Sequence, residues 1–178
     1  ADLFIDCTGF KSLLLTKTFN VPFLSIEKYV PNNYAWATKI PYLDPETQIV
    51  NYTNCTAIEN GWIWEIPTIG QIGSGYVYSS KHQKYDDALQ TITDFWKQKG
   101  HEFKLFKSVE FDAGMLENVS KHNVVSNGLA QSFIEPLEAT SIMVTCVTVK
   151  AFVDLYKKNS KNLIKAHDKV MRKFVDHT

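Results

Sequence analysis

The sequence predicts a mixed α/β chain of the α+β kind, with an antiparallel sheet in the middle and helices towards the end. Three observations carry this. Leu3-Phe4-Ile5 is an apolar run closed by Thr8-Gly9, the pattern of a buried strand in an α/β sheet. From Thr18 to Ser80 β-branched and aromatic residues dominate, as suits a pleated, half-buried surface. Beyond Tyr85 the apolar residues recur at three-to-four spacing, the period of a helix.

Taken in order, Tyr34 to Ile40 alternates and Ile49 to Thr56 is rich in Val, Tyr and Thr, so both read as strands. Asn60-Gly61 stands between the second of these and Trp62-Ile63-Trp64-Glu65-Ile66. Asn-Gly suits the two positive-φ positions of a type I′ turn, which makes the pair a hairpin. Pro67 should end the returning strand or lie at its edge. Gly73-Ser74-Gly75 leads into a third strand, Tyr76-Val77-Tyr78. Asp86 to Lys99 reads as a helix, with Asp86 and Asp87 at its positive end, Lys97 and Lys99 at its negative end and Gly100 as the stop. Val124 to Ser126 is a short strand before Asn127-Gly128. A long apolar helix should start near Glu138 and run to about Tyr156. After it comes an amphipathic helix whose inner stripe is Leu163, Ala166, Val170 and Phe174 and whose basic residues form a solvated face.

Composition narrows the function classes. The chain has 178 residues, 44% hydrophobic and 13% aromatic, too apolar for a disordered segment. Nineteen Lys plus Arg balance nineteen Asp plus Glu, so nothing points to a nucleic-acid or acidic-membrane partner. No apolar run reaches the ~18 residues of a membrane span. No basic segment followed by an apolar one opens the sequence, so a cytoplasmic location is expected. Cys7, Cys55 and Cys146 are odd in number and far apart, which fits a reduced compartment rather than a disulfide framework. The five histidines show no i, i+4 pair, so no metal site is assigned. The three Asn-x-Ser/Thr triplets carry no weight without a secretory signal. There is no G-x-S-x-G and no G-x-G-x-x-G.

Two segments could carry chemistry. Phe133-Ile134-Glu135-Pro136-Leu137-Glu138-Ala139-Thr140-Ser141 crowds two carboxylates and two hydroxyls at a helix start. Helix N-termini carry partial positive charge, so the amides of Thr140 and Ser141 could face an anion, and a nearby Glu is a candidate acid/base group. A plainly capped helix start fits the same residues. In Trp62-Ile63-Trp64-Glu65 the two indoles point to one face of a strand. They make either an aromatic wall or ordinary core.

Four segments together resemble the flavin-dependent halogenases, in particular the tryptophan-halogenase family. Trp62-Ile63-Trp64-Glu65-Ile66-Pro67 is similar to the family's W-x-W-x-I-P motif, and Ala1-Asp2-Leu3-Phe4-Ile5-Asp6-Cys7-Thr8-Gly9 to its A-D-L-F-I-D-C-[ST]-G segment. Gly73-Ser74-Gly75-Tyr76-Val77-Tyr78-Ser79 is similar to G-[ST]-G-Y-V-Y-S. Asn127-Gly128-Leu129-Ala130 with Phe133-Ile134-Glu135-Pro136-Leu137-Glu138 is similar to the flavin-contacting G-L-x-x-x-F-x-E-P-L-E-S-T-G segment. The matches keep family order and spacing over nearly the whole chain. Two positions depart: Ala139 stands for the usual Ser and Ser141 for the usual Gly. If the family backbone needs positive φ at the latter, Ser141 would be strained, and halide preference would be affected.

The resemblance implies part of an FAD/NAD(P)-binding, flavin-monooxygenase-like fold. Residues 1–15 and 119–156 would belong to the FAD-binding domain, 16–118 to the antiparallel sheet and helix of the substrate side, and 157–178 to the start of a C-terminal helical region. It implies FAD, supplied in reduced form by a separate flavin reductase, and a halide ion, chloride or bromide. Reduced FAD and O₂ would oxidise the halide to hypohalous acid, which halogenates an electron-rich aromatic such as tryptophan or another indole. Glu138 would be the catalytic carboxylate. Gly128, Leu129, Ala130 and Pro136 would contact the flavin, and the amides of Thr140 and Ser141 the halide. Trp62, Trp64, Pro67 and Glu135 would line the tunnel and substrate side. A homodimer of the full-length enzyme is compatible with this. The family's G-x-G-x-x-G and essential lysine both precede everything present here, so an internal fragment is expected that binds FAD poorly and is inactive by itself. A flavin-dependent aromatic monooxygenase or a non-catalytic aromatic-binding module are the alternatives.

Overall fold

A computed structural model describes residues 2–102, 106–158 and 162–175, without the side chains of Glu138, Arg172, Phe174 and Val175. In chain order the elements are β1 (Phe4–Asp6), β2 (Phe23–Ser25), β3 (Tyr34–Ile40), α1 (Pro45–Gln48), β4 (Asn54–Ile58), β5 (Gly61–Thr68), β6 (Gln71–Tyr78) and α2 (Tyr85–Gln98). Then follow β7 (Phe106–Glu110), β8 (Gly114–Leu116), β9 (Ser120–Lys121), β10 (Val124–Ser126), β11 (Ser132–Phe133), α3 (Thr140–Lys157) and α4 (Leu163–Val175). They fall into two compact units, Pro31–Phe111 and Ala1–Val30 with Asp112–Thr178.

In the unit Pro31–Phe111 an antiparallel sheet runs in the order β4-β5-β6-β3-β7. Alternation puts Trp36, Ile40, Ile63, Ile72, Tyr76 and Tyr78 on one face, where Ala88, Ile92 and Trp96 of α2 pack against them. Burying one such large apolar side chain contributes roughly 1.5–3 kcal/mol, so this layer is the stabilising core of the unit. The Asp86-Asp87 start and the Gly100 stop, at φ 83°, match the expected helix within a residue.

The hairpin of β4 and β5 is present, but its turn is shifted from the expected one. Ile58 pairs with Gly61, so Glu59 and Asn60 make the connection, and none of residues 59–61 has positive φ. Gly61 is needed for a different reason: a Cβ there would collide with the Val77 carbonyl oxygen of the next strand. The strand expected over Ile49–Thr56 begins only at Asn54. Before it, Asp44 caps a single helical turn opened by Pro45, its carboxylate accepting from Glu46 N–H at 3.1 Å; the Asp-Pro pair is a helix-start signal. Pro67 lies beyond the end of β4, where its missing N–H leaves no ladder bond unmade.

In the other unit β1 runs parallel to β10, with β9 antiparallel on the far side, and β11-β8-β2 form a second small sheet. Asp6, 1% exposed at the end of β1, organises the segment that follows. Its carboxylate accepts from Thr8 N–H and Oγ1–H and from the amides of Leu14 and Leu15. These last two open a wide turn over Leu13–Thr18 closed by i to i−5 bonds. Burial by itself would push the Asp6 carboxyl up; the bonds from Thr8, Leu14 and Leu15 outweigh it and hold it below the ordinary carboxylate value. The rest of β1 is not buried as its apolar run suggested: Phe4 and Ile5 are 46% and 56% exposed.

Helix α3 starts at Thr140, after one 3₁₀ turn over Leu137–Ala139. Helix α4 presents a different face from the expected one. His167 and Met171 are fully buried, Met171 against Val119 and Val144, while Val170 is 41% exposed. Phe174, the last of the expected stripe, has a side chain outside those described. The buried face is therefore rotated from the 163/166/170/174 stripe, because a histidine and a methionine take the places aliphatic residues were expected to hold.

Candidate functional site

The W-x-W segment sits on β5 as alternation requires. Ile63 and Glu65 face the α2 side at 0% and 8% exposure, and Trp62 and Trp64 take the other face half-buried, ring centroids 5.9 Å apart. Trp64 pairs with Gly75 of β6, and a Cβ on Gly75 would collide with the Trp64 ring and the Trp36 carbonyl. The second glycine of Gly73-Ser74-Gly75 is thus the floor on which the indole rests. Ala35 and Ala37 of β3 continue that face as register partners of Val77 and Gly75. Ile66, next on the same side of β5, is 42% exposed.

Sequence reasoning missed what lies behind this strand. Trp96 Nε1–H donates to Ser74 Oγ at 3.0 Å, and Ser74 Oγ–H donates to the Trp64 carbonyl at 2.7 Å. Lys99 Nζ donates to both Glu65 oxygens, at 2.8 and 2.7 Å. The partners are separated by 22, 10 and 34 residues along the chain, so no helical or strand periodicity signals them.

In the other unit, residues 127–141 form a continuous path. Gly128 opens a 3₁₀ turn, Gly128–Ala130, at φ 64°, and a Cβ there would meet only Thr145 Oγ1 at 3.8 Å. Leu129 beside it is 41% exposed, while Ala130 is 2% exposed and packs inward. Pro136 has φ −68°, and Glu135 before it is half-buried. Glu138 lies in the turn Leu137–Ala139, its side chain outside those described. Ala139 is left-handed at φ 53°. Thr140 and Ser141 then open α3, where first-turn amides lack intrahelical acceptors. Ser141 does not have positive φ; the left-handed residue is Ala139 instead, two positions earlier. Among the described residues the buried Ser141 hydroxyl has no hydrogen-bond partner, and the Ser141 carbonyl accepts from Thr145 Oγ1 at 2.8 Å.

These features fit a flavin and a halide. The open backbone at Gly128 and the exposed Leu129 offer a surface to a planar ring, and the start of α3 offers N–H groups to an anion. Among the described residues no His, Cys, Asp or Glu side chains gather as a metal site, and no helix is long and apolar enough to cross a membrane.

The fold of these elements recurs in solved flavin-dependent halogenases. The structure of a tryptophan 6-halogenase from Streptomyces toxytricini superposes with TM-score 0.90 at 35% identity, covering 99% of this chain and 35% of that one. A tryptophan C-6 flavin-dependent halogenase (chlorinase) from taromycin biosynthesis gives 0.86 at 32% identity, covering 96% and 34%. The tryptophan halogenase family model matches residues 1–178, and the chain belongs to that family. Among curated proteins, the tryptophan 7-halogenase KtzQ of Kutzneria sp. (strain 744) is 39% identical over 142 residues, 80% of this chain and 26% of its own length. The tryptophan 7-halogenase RebH of Lentzea aerocolonigenes is 34% identical over 162 residues, 91% of this chain and 30% of its own. The chain thus spans less than a third of the curated relatives it matches.

Proposed function

We propose that this chain is the substrate-wall and halide-binding part of a flavin-dependent halogenase that acts on tryptophan or another electron-rich indole. The observation that carries this is the family match over residues 1–178, which includes W-x-W-x-I-P with both indoles side by side on one strand face. Bound FAD, reduced by a separate flavin reductase, supplies the reaction with O₂ that oxidises the halide. Gly128, Leu129 and Pro136 would hold the flavin ring system, whereas Ala130 is buried beneath them. The remaining steps fall to this chain's residues. The amides of Thr140 and Ser141, aided by the helix dipole, hold chloride or bromide at the start of α3. Trp62 and Trp64 form one wall of the substrate side, and their apolar surface orients an indole; Pro67, register partner of Ile72, lies on the opposite, α2-facing side of β5 and does not join that wall. Glu138 stabilises the cationic ring formed on halogen addition and then removes its proton, while Glu135 shapes the turn ahead of Pro136.

The test is a product assay on the full-length enzyme with FAD, a flavin reductase, O₂, bromide or chloride, and tryptophan. Mass spectrometry should show a halogenated indole carrying the supplied halide. A hydroxylated indole, or no product with active flavin turnover across an indole panel, would overturn the proposal.

A further inference from the structure

Trp64 is held from behind as well as in front. The Ser74 hydroxyl has one proton, and it goes to the Trp64 carbonyl at 2.7 Å. The same oxygen receives the Trp96 indole N–H at 3.0 Å, which fixes the direction of that proton. Both Ser74 and Trp96 are 1% exposed, so water does not compete for these bonds. One residue further along, Lys99 grips both oxygens of Glu65. The Lys99 ammonium also lies 4.4 Å from the Phe95 ring centroid and 5.3 Å from that of Trp96. The C-terminal turn of α2 therefore ties down two consecutive residues of W-x-W-x-I-P, one through its backbone and one through its side chain. In front, Gly75 leaves room for the ring.

Stability alone does not call for this. A buried polar pair replaced by well-packed apolar groups is often nearly neutral, since the hydrogen bonds mainly offset desolvation. What the hydroxyl adds is direction. It joins a core indole on α2 to the strand residue whose indole lies on the opposite face of the sheet.

We propose that Ser74 is a positioning residue for Trp64, with Trp96 and the Lys99–Glu65 pair as its supports. It sets the tilt of the Trp62–Trp64 pair and so the shape of the wall an aromatic substrate meets. The consequence for substrate rests on the reading of Trp62 and Trp64 as that wall; the positioning itself does not.

The experiment uses the full-length enzyme labelled with fluorotryptophan, the Trp64 fluorine NMR line being identified by its loss in Trp64→Phe. Ser74→Ala should shift or split the Trp64 line, and Ser74→Thr, which keeps the hydroxyl, should return it. Trp96→Phe removes only the indole donor and should move the same line, which keeps the test decisive where Ser74→Ala does not fold. In the same variants kcat/KM for the aromatic substrate should fall about tenfold, the effect of a misplacement below 1 Å, with flavin oxidation by O₂ unchanged. An unmoved Trp64 line in Ser74→Ala or Trp96→Phe overturns the positioning role. A moved line with unchanged substrate kinetics upholds that role and overturns the wall reading instead.

Discussion

The benzo edge of Trp64 occupies the space that a side chain on its register partner Gly75 would need. Gly75 is required here by close approach and not by its backbone angle, since its φ is not in the left-handed region. The Trp36 carbonyl crowds the same point from β3, so the sheet cannot yield without losing its ladder.

Gly75→Ala should therefore cost about 1–3 kcal/mol, the usual penalty for overpacking a filled site. The midpoint of urea unfolding should drop with its slope unchanged, and tryptophan emission should shift as the Trp64 ring is displaced. Gly73→Ala is the control, because a Cβ there would meet only the Ile66 carbonyl oxygen at 3.7 Å. Equal losses at both positions would show that glycine itself, not the Trp64 contact, is what the strand needs.

Much of the sheet and the long helices could be read from the sequence, because period-two and three-to-four spacings are local. Trp62 and Trp64 sharing a face, and α2 between Asp86 and Gly100, are of this kind. The errors occur where a signal has two physical causes. Asn60-Gly61 looked like a turn, but Gly61 answers the Val77 carbonyl across the sheet. Apolar spacing predicts the α4 stripe at Leu163, Ala166, Val170 and Phe174, whereas His167 and Met171 are the buried pair. At the helix start the motif is legible, but the left-handed backbone that the family's glycine raises as a condition at Ser141 stands at Ala139. The Ser74 bridge depends on residues far apart in the chain, which only the folded sheet brings together.

The position of that left-handed residue can be checked by stability. Left-handed backbone costs a residue with a Cβ about 1–2 kcal/mol, so Ala139→Gly should be neutral to stabilising by about 1 kcal/mol after the extra entropy of glycine in the unfolded chain is counted. Ser141 lies in helical backbone, so Ser141→Gly should destabilise by up to about 0.5 kcal/mol. Thermal melts of the two variants should move in opposite directions. A rise for Ser141→Gly with a fall for Ala139→Gly would place the strain where the family pattern first suggested.

Acid should weaken the fold through its buried histidines. His167 is fully buried. Burial pushes its pKa below the ordinary 6.5, against the opposing pull of the Thr148 carbonyl and Asp168. His101 is lowered for the same first reason. The unfolded chain takes up protons at these sites at higher pH than the folded one. Their contribution to stability is thus complete above the ordinary value of 6.5 and is lost progressively as pH falls below it. Melting temperature should decline between about pH 7 and pH 5, and less steeply in His167→Gln, whose amide can still donate to the Thr148 carbonyl. An identical decline in that variant would remove His167 from the account.

The two glutamates of the Glu135-Pro136-Leu137-Glu138 segment are separable by experiment. Glu138 lies in the turn that leads directly into the N–H groups of α3, next to the left-handed Ala139. Glu135 lies on the far side of Pro136 and is half-buried, a setting for shaping the turn. Substituting glutamine keeps size and most hydrogen bonding but removes the base. In the full-length enzyme Glu138→Gln should cut halogenated product by about 10²-fold or more, the scale for one positioned acid/base group. Oxidation of reduced flavin should continue, since that chemistry belongs to the cofactor. Product formed per flavin consumed should then collapse in Glu138→Gln, whereas in Glu135→Gln any loss should track a lower melting temperature. Near-normal yield in Glu138→Gln, with a folded Glu135→Gln that makes no product, would exchange the roles of the two carboxylates.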